Sequence, residues 1–450
     1  MGKINYEPRI HAVNDILSAL LLISVPGLPL LLAFPALHRR LPWPDLIALL
    51  PATILLFISA DIFIELPWML LGGGLGIDSA TRWWLAMAVV TWAAVAAFLH
   101  VPGGRGACNR LATLFLLTMA GQMGAILATD RVSFFTFMTL MGYAFIGLLV
   151  ADGDERVRRA GRVYLVLLIF ADIALLEALL VAAASTNDLD FAVAAGAMTL
   201  SPSSVLYLSM AIAGFALKTG FWPLHVWLPL AYGSARPPVA LLLWGVPVAT
   251  GLFGAVRWLP LGEITAPIPG MLLQAIGAVG ILYATLFGLM RAQWIQLPAY
   301  VAIIATGMFA MGLGAGLRDP TVWNQYGDSA PVFVVLVGLG LAIMVVGLAW
   351  LEASGRFPSG FRKTVGAALW FERWVAAVVR WGCWLGISIL PGKRALWLVK
   401  WGGLWKASVW QRALNAGEYF LQRWVFAITL FLLLGMAFVV LLLLDAMSFL

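Results

Sequence analysis

The sequence predicts an all-α, polytopic membrane protein with about 12 transmembrane helices. Three observations predict this fold class: 62% of the 450 residues are hydrophobic, only 11% are charged, and long apolar runs recur along the chain. A soluble protein of this length needs a largely polar surface and cannot enclose so much apolar side chain. The 45 glycines and 21 tryptophans are typical of helices that pack closely in lipid and are anchored at its interfaces.

A helix needs about 20 mostly apolar residues to cross the hydrocarbon core of a bilayer. That criterion places spans near residues 16–36, 45–63, 83–101, 111–129, 132–151, 163–184, 204–222, 238–257, 268–290, 296–316, 331–351 and 424–447. Pro223 and Pro229 break the seventh span or turn it back into the membrane, because proline removes a helical hydrogen bond. We expect Asp61 and Glu65 to end the second span at the interface, and glycines 72–74 to form an outward-facing hairpin before the third.

The net charge of +7 does not indicate a nucleic-acid partner, because the arginines and lysines lie mostly between apolar runs. There they set the orientation of the helices and contact anionic membrane lipid. Cys108 and Cys383 are too few for a metal site or a disulfide framework. The GGGLG near Leu71 lacks the Lys-Ser/Thr of a phosphate loop, and the sequence shows no nucleophile–base pairing. We therefore expect no metal, no cofactor and no active site within the chain.

Residues 362–412 mix cations with tryptophans instead of forming an uninterrupted apolar run. Cations spaced about six or seven residues apart among tryptophans suit helices in the interface plane, with rings in lipid and charges in water. This pattern predicts an amphipathic lateral segment, and the apolar run at 424–447 would be its anchor helix. One more tilted transmembrane helix over 375–391 is the alternative.

Lys218 lies deep in the seventh span, in the segment AIAGFALKTGFWPLHVWLP. An ammonium group inside a bilayer is costly, so it either pairs with a carboxylate or releases its proton more readily than in water. Both states suit a group that gains and loses a proton during ion transport. The alternative is a structural lysine whose side chain extends to a nearby interface.

His225 follows Trp222 and Pro223 in the same segment, a pattern that predicts a broken helix next to a hydrated cavity. An imidazole in that position can relay protons near neutral pH. A neutral, hydrogen-bonded histidine that only holds the break in place is the other interpretation.

Asp172 and Glu177 are the carboxylates of the sixth span. Because they are five residues apart, they point about 140° away from each other on a helix. We expect one of them to pair with Lys218 and the other to face a neighbouring helix or a second subunit. Asp130 and Arg131, at a boundary between spans, are interpreted as part of a solvated loop.

The stretch 218–257, KTGFWPLHVWLPLAYGSARPPVALLLWGVPVATGLFGAVR, resembles the antiporter-like proton-translocating subunits of respiratory complex I, multisubunit cation/proton antiporters and group 4 hydrogenases. Members of that family have a lysine, a Phe-Pro-Leu/Phe-His-x-Trp-Leu-Pro core and a Pro-Val-Ser-Ala-Leu turn. The residues that follow this order are Lys218, Pro223, Leu224, His225, Trp227, Leu228, Pro229, Pro238, Val239, Ala240 and Leu241. Weaker similarity runs over 110–183 and 277–316.

The resemblance implies two inverted five-helix repeats, each with a broken helix and a central lysine, in the bacterial cytoplasmic (inner) membrane. It divides the chain into N-terminal helices (1–110), a first repeat (111–257), a shortened second repeat (258–351), the lateral segment (362–412) and the anchor helix (424–447). In the family, a fifth-helix glutamate pairs with the seventh-helix lysine, and protons then pass through a lysine or histidine of the eighth helix. This implies proton-transfer roles for Lys218, His225, and Asp172 or Glu177.

The sequence departs from the family where charges are expected. Met138 and Thr139 replace the usual Trp and the pairing Glu, and Ala249 replaces a common lysine. Residues 295–296 are Ile and Gln, where the family usually has Lys and Arg. After Arg318 there is room for one span before the lateral segment, so the second broken helix is expected to be missing.

These observations leave three functions open. The first is a membrane subunit of a multi-subunit complex that translocates protons (or sodium), coupled to chemistry in partner subunits such as a peripheral redox module. The second is a non-pumping, structural antiporter-like scaffold that docks such a module. The third is a proton-coupled subunit of a complex that takes up a small solute such as inorganic carbon. The retained Lys218 favours the first function, and the missing charges favour the second.

Overall fold

The computed structural model describes residues 12–58, 61–66, 73–100, 109–151, 155–185, 191, 204–288 and 294–354. The N-terminal elements are α1 (Ala12–Leu32), α2 (Pro35–His38), α3 (Pro44–Leu56), β1 (Ile62–Glu65), β2 (Gly74–Ile77) and α4 (Ser79–His100). The central elements are α5 (Asn109–Leu127), α6 (Arg131–Val150), α7 (Glu155–Ser185), α8 (Ser204–Thr219), α9 (Trp227–Tyr232), α10 (Pro237–Leu243) and α11 (Ala249–Trp258). The last elements are α12 (Pro267–Tyr283), α13 (Leu297–Arg318), α14 (Pro320–Tyr326) and α15 (Ala330–Ala353).

Most of the described helices have the length and composition of membrane spans. Eight helical stretches of this part of the chain are long and apolar enough to cross a membrane, and three shorter helices are also apolar. Each of the first eleven predicted spans overlaps one of these helices, so the prediction of an all-α, polytopic membrane protein is confirmed. The predicted lateral segment 362–412 and anchor helix 424–447 lie outside the described residues.

The second predicted span is wrong at its end, because α3 ends at Leu56 and the chain then forms an antiparallel β-hairpin. Glu65 of β1 pairs with Gly74 of β2, and Asp61 immediately precedes β1. These two carboxylates therefore belong to a hairpin and not to a helix end. The alternating, β-branched pattern of IFIE favours a strand, a period of two that a search for apolar runs overlooks.

The hairpin is docked on the turn between α5 and α6. The Gly74 amide donates to Asp130 Oδ2 at 2.9 Å, and the Thr129 amide donates to the Gly74 carbonyl at 3.1 Å. A Cβ atom on Gly74 would meet the Thr129 hydroxyl, so the close approach requires glycine. Gly73 and Gly74 thus lie in a hairpin, as the glycine run predicts.

The interpretation of Asp130 and Arg131 as a solvated loop is wrong, because both side chains are buried. Asp130 caps α6 by accepting a hydrogen bond from the Ser133 amide at 2.8 Å. Arg131 Nε donates to the Tyr207 hydroxyl at 3.1 Å, and the guanidinium lies 5.7 Å from the centre of that ring. The cap and the cation–π contact replace the water that a loop would supply.

The core of the described bundle is rich in tryptophan. Trp92, Trp227, Trp244 and Trp258 are all fully buried. Trp244 Nε1 donates to the Val334 carbonyl at 3.2 Å, which joins the segment between α10 and α11 to α15. Buried indole N–H groups need such acceptors, because a lost hydrogen bond is costly where water is excluded.

The backbones of α12 and α13 approach each other closely at glycines. A Cβ atom on Gly277 would meet the Gly307 carbonyl oxygen, and one on Gly314 would lie 2.5 Å from the Gly270 carbonyl oxygen. Small residues at such crossings give van der Waals contact in lipid, where no hydrophobic force drives helices together. The α12–α13 pair is therefore held by backbone proximity that larger side chains would prevent.

Gly277→Val is expected to lower the stability of the protein by about 1–3 kcal/mol, because the added side chain forces α12 away from α13. The measurement is the apparent melting temperature of the purified protein in detergent. Gly312→Val on α13 is the matched control, since a Cβ atom there has nothing within 4 Å. Equal melting temperatures for the two variants would show that the backbone contact does not hold the pair.

Candidate functional site

The seventh predicted span is broken in the structure, as its prolines predict. α8 ends at Thr219, and Gly220 follows with a φ of 73°, a left-handed conformation that favours glycine. The Trp222–Pro223 peptide bond is cis, and a single 3-10 turn over Leu224–Val226 leads into α9. Pro223 thus lies within the interruption, and Pro229 lies inside the first turn of α9.

Lys218 occupies the last turn of α8, directly before this interruption. Its Nζ atom lies 2.7 Å from Asp172 Oδ1 of α7. The side chains of Lys218 and Asp172 are only 3% and 10% exposed, respectively. The structure therefore pairs Lys218 with Asp172, and it does not extend the lysine to an interface.

A close packing of α7 and α8 brings the two charges together. Gly214 lies one turn before Lys218 on the same face of α8, and a Cβ atom there would collide with Leu175 of α7. It would also come within 3.2 Å of the Ala171 carbonyl oxygen. Because Ala171 and Leu175 flank Asp172, the missing side chain of Gly214 lets the carboxylate reach the lysine.

Two tyrosines complete the surroundings of Asp172. Tyr143 of α6 and Tyr164 of α7 both interact electrostatically with its carboxylate. Tyr164 is buried and stacks on Trp227, with ring centres 4.5 Å apart. Trp227 in turn donates from Nε1 to the Leu217 carbonyl at 3.3 Å, beside the lysine. The ion pair is thus enclosed by aromatic side chains from α6, α7 and α9.

The eighth predicted span contributes no charge to this site. Ala249, where the family commonly has a lysine, is buried at the start of α11. Two residues later Gly251 faces α8, and a Cβ atom there would lie 3.5 Å from the Lys218 Cβ atom. The α11 side of the ion pair is therefore lined by small residues.

His225 and Glu177 are placed differently from the ion pair. The His225 ring is buried in the 3-10 turn, and its centre lies 4.8 Å from that of Tyr283 on α12. Glu177 is exposed on α7, so the predicted divergence of Asp172 and Glu177 is seen, with Asp172 facing inward. Of the four predicted proton-transfer residues, the structure joins Lys218 and Asp172 in an ion pair.

Sequence reasoning missed a buried polar network next to α11. Trp92 Nε1 donates to Gln122 Oε1 at 2.7 Å, and Gln122 Nε2 donates to the Gly245 carbonyl at 2.6 Å. Gly245 belongs to a π-helical turn, Trp244–Val248, which contains Pro247. Since π-helical turns are frequent at functional sites, the proline inside an apolar span was the available signal.

A second ion pair lies outside the spans. Arg257 donates to Asp78 Oδ2 at 2.7 Å and also to the Thr81 hydroxyl, which joins the end of α11 to the start of α4. Burial alone would raise the pKa of the Asp78 carboxyl, but the Arg257 guanidinium and a hydrogen bond from the Thr81 amide lower it below its ordinary value. This pair is half-buried and joins two helices, so we assign it a structural role.

The comparisons with known proteins agree with this geometry. The family described as NADH:quinone oxidoreductase/Mrp antiporter, transmembrane, matches residues 128–324. Hydrogenase-4 component B of Escherichia coli (strain K12) is 27% identical over 286 residues, which cover 62% of this chain and 42% of the relative. A probable K(+)/H(+) antiporter protein of Rhizobium meliloti (strain 1021) is 31% identical over 228 residues, which cover 45% of this chain and 40% of the relative.

Two solved structures share the fold. The membrane-bound sulfane sulfur reductase, an archaeal respiratory membrane complex, contains a chain that superimposes with a TM-score of 0.63 at 20% identity, covering 74% of this chain and 71% of that one. The Mrp complex from a Dietzia species contains one with a TM-score of 0.60 at 21% identity, covering 74% and 37%. The chain spans about two fifths of the length of the two curated relatives above.

Proposed function

Because this chain belongs, through residues 128–324, to the antiporter-like family of proton-translocating membrane subunits, we propose that it takes part in moving protons (or sodium) across the membrane. It acts as one membrane subunit of a multi-subunit complex in the bacterial cytoplasmic membrane. The chemistry that drives transport takes place in partner subunits, such as a peripheral redox module.

The observation that carries this proposal is the buried ion pair of Lys218 and Asp172, 2.7 Å apart beside a helix break. A buried pair contributes little net stability, since desolvating two charges offsets most of their attraction. An apolar pair of similar size would hold α7 to α8 at least as well. Charged groups inside a membrane therefore point to ion transport, and a lysine that alternates between pairing and proton release supplies the mechanism.

The remaining roles follow from the placement of the side chains. Asp172 on α7 substitutes for the glutamate that the family carries on the preceding helix, where this chain has Thr139. When Asp172 accepts a proton, its hold on Lys218 weakens, and the lysine proton becomes transferable. His225, in the turn that follows the break, relays protons toward Tyr283 and α12.

A structural scaffold is the second candidate. It is favoured by the apolar residue at position 249 and by Ile295 and Gln296, where the family carries charges. In addition, the described residues after Arg318 contain a single long helix, α15. A scaffold needs the fold and its contacts with partners but no switchable charge, so the two candidates differ in whether Lys218 must change its protonation state.

The test is Lys218→Met in the assembled complex, with ion translocation measured in inverted membrane vesicles. The proposed function predicts that the complex assembles and that gradient formation falls by about tenfold or more, because no group replaces the ammonium. Normal gradient formation with normal assembly would refute the transport role and leave the scaffold.

A further inference from the structure

Glu177 lies on a face of α7 that no described element covers. Ile173 is four residues before it and Leu180 three residues after it, so the three side chains are neighbours on the helix surface. Ile169 and Leu176 extend the same face, and each of the four apolar side chains is at least 41% exposed. These five residues are called the Glu177 face below.

The carboxyl group of Glu177 lies within the depth of the membrane. The charged first turns of α7 end at Arg162, and the apolar part begins at Val163. At 1.5 Å per residue, Glu177 is about 21 Å along the helix from Val163 and about 12 Å from Ser185. The hydrocarbon core is about 30 Å thick, so both interfaces are distant from its Cα atom.

The direction of the side chain keeps the carboxyl group away from the nearer interface. In an α-helix the Cα–Cβ bond tilts toward the N-terminus, which for Glu177 is toward the middle of the bilayer. An extended glutamate therefore does not reach the headgroups beyond Ser185 easily. An ionised carboxylate left in lipid at this depth is strongly disfavoured.

The charges of the site cannot serve as its partners. Asp172 and Lys218 form their ion pair on the inward side of α7, about 140° around the helix from Glu177. Within the part of the chain that the structure describes, Glu177 forms no ion pair or hydrogen bond. A carboxylate in an apolar, uncovered stripe requires a cation from outside this bundle.

We propose that the Glu177 face binds a transmembrane helix of a partner subunit, and that this helix presents a lysine or arginine to Glu177. The inference rests on the proposed function only in that the chain works within a complex. Apolar side chains on both sides of Glu177 exclude lipid headgroups and water from the contact, so the pair would be desolvated and specific for its partner. Lipid or another segment of this chain is the competing occupant.

The first experiment places a photo-crosslinking amino acid at Leu180 in the purified, assembled complex. We expect a crosslink to a peptide of another membrane subunit that carries a lysine or arginine within an apolar stretch. The same probe at Leu282, an exposed residue of α12, is the control for non-specific crosslinking. Crosslinks from Leu180 to lipid alone, or to this chain alone, would overturn the proposal.

The second experiment changes the charge. Glu177→Lys is expected to lower the amount of copurified partner subunit by about tenfold, and replacing the partner's cation with glutamate in the same complex should restore it. Glu155→Lys is the matched control, because Glu155 is an exposed carboxylate at the start of the same helix. Unchanged copurification with Glu177→Lys would also overturn the proposal.

These outcomes are distinguishable from a failure of the proposed function. If Lys218→Met leaves ion translocation intact while Glu177→Lys releases the partner, the interface stands and the transport role falls. If Lys218→Met abolishes translocation while the Leu180 probe reaches no second subunit, the transport role stands and the interface falls.

Discussion

Replacing Lys218 with arginine is expected to leave the complex assembled but to abolish ion translocation. A guanidinium keeps the positive charge next to Asp172, so the buried carboxylate remains compensated and α7 stays packed on α8. Arginine does not release its proton in proteins, so it cannot act as the switch. Transport should therefore fall to the level of Lys218→Met, whereas the melting temperature should stay closer to that of the native protein.

The measurement is proton movement into proteoliposomes that contain the whole complex, followed with a pH-sensitive dye. Arg257→Lys is the matched control for exchanging one cation for the other, since Arg257 pairs with Asp78 outside the spans. This control should translocate ions normally. Native transport rates with Lys218→Arg would mean that a fixed positive charge is sufficient, which contradicts a role in proton release.

Removing Asp172 alone is expected to damage the protein more than removing both charges. Asp172→Leu leaves the Lys218 ammonium buried without its counter-charge, which costs about 3–5 kcal/mol. The double variant Asp172→Leu with Lys218→Met replaces the pair by apolar side chains and should recover most of that loss. Both proteins should fail to translocate ions, because each has lost the carboxylate.

The free energies of unfolding in detergent, or the yields of assembled complex, measure this difference. Glu155→Ala is the control, because Glu155 forms only exposed ion pairs with Arg158 and Arg162. Its effect should stay within about 0.5 kcal/mol. If the double variant were no more stable than Asp172→Leu, the two side chains would not act as a pair.

Local patterns in the sequence were sufficient to predict the spans and the break. The apolar runs are long, and the prolines at 223 and 229 follow a lysine in a single segment, so each signal is contained within about 20 residues. The helical period also predicted that Asp172 and Glu177 point in different directions. It could not decide which of them meets Lys218, because that depends on Gly214 and the packing of α7 on α8.

The features that sequence reasoning got wrong depend on contacts between distant segments. Asp130 and Arg131 have the composition of a loop, yet Gly74 and Tyr207, far away in the chain, supply their partners. The β-hairpin was hidden for a related reason. Its strands are too short to interrupt an apolar run, and the pairing between them becomes evident only when Gly74 is placed against Thr129.

Infrared difference spectroscopy of the reconstituted complex, recorded as the driving reaction is started, tests the central claim most directly. The account predicts that the Asp172 carboxylate gains a proton, so a protonated-carboxyl band should appear and should be missing in Asp172→Asn. The band should also be missing in Lys218→Arg, where the pair is locked. A spectrum without any such band, from a complex that is translocating ions, would contradict the account.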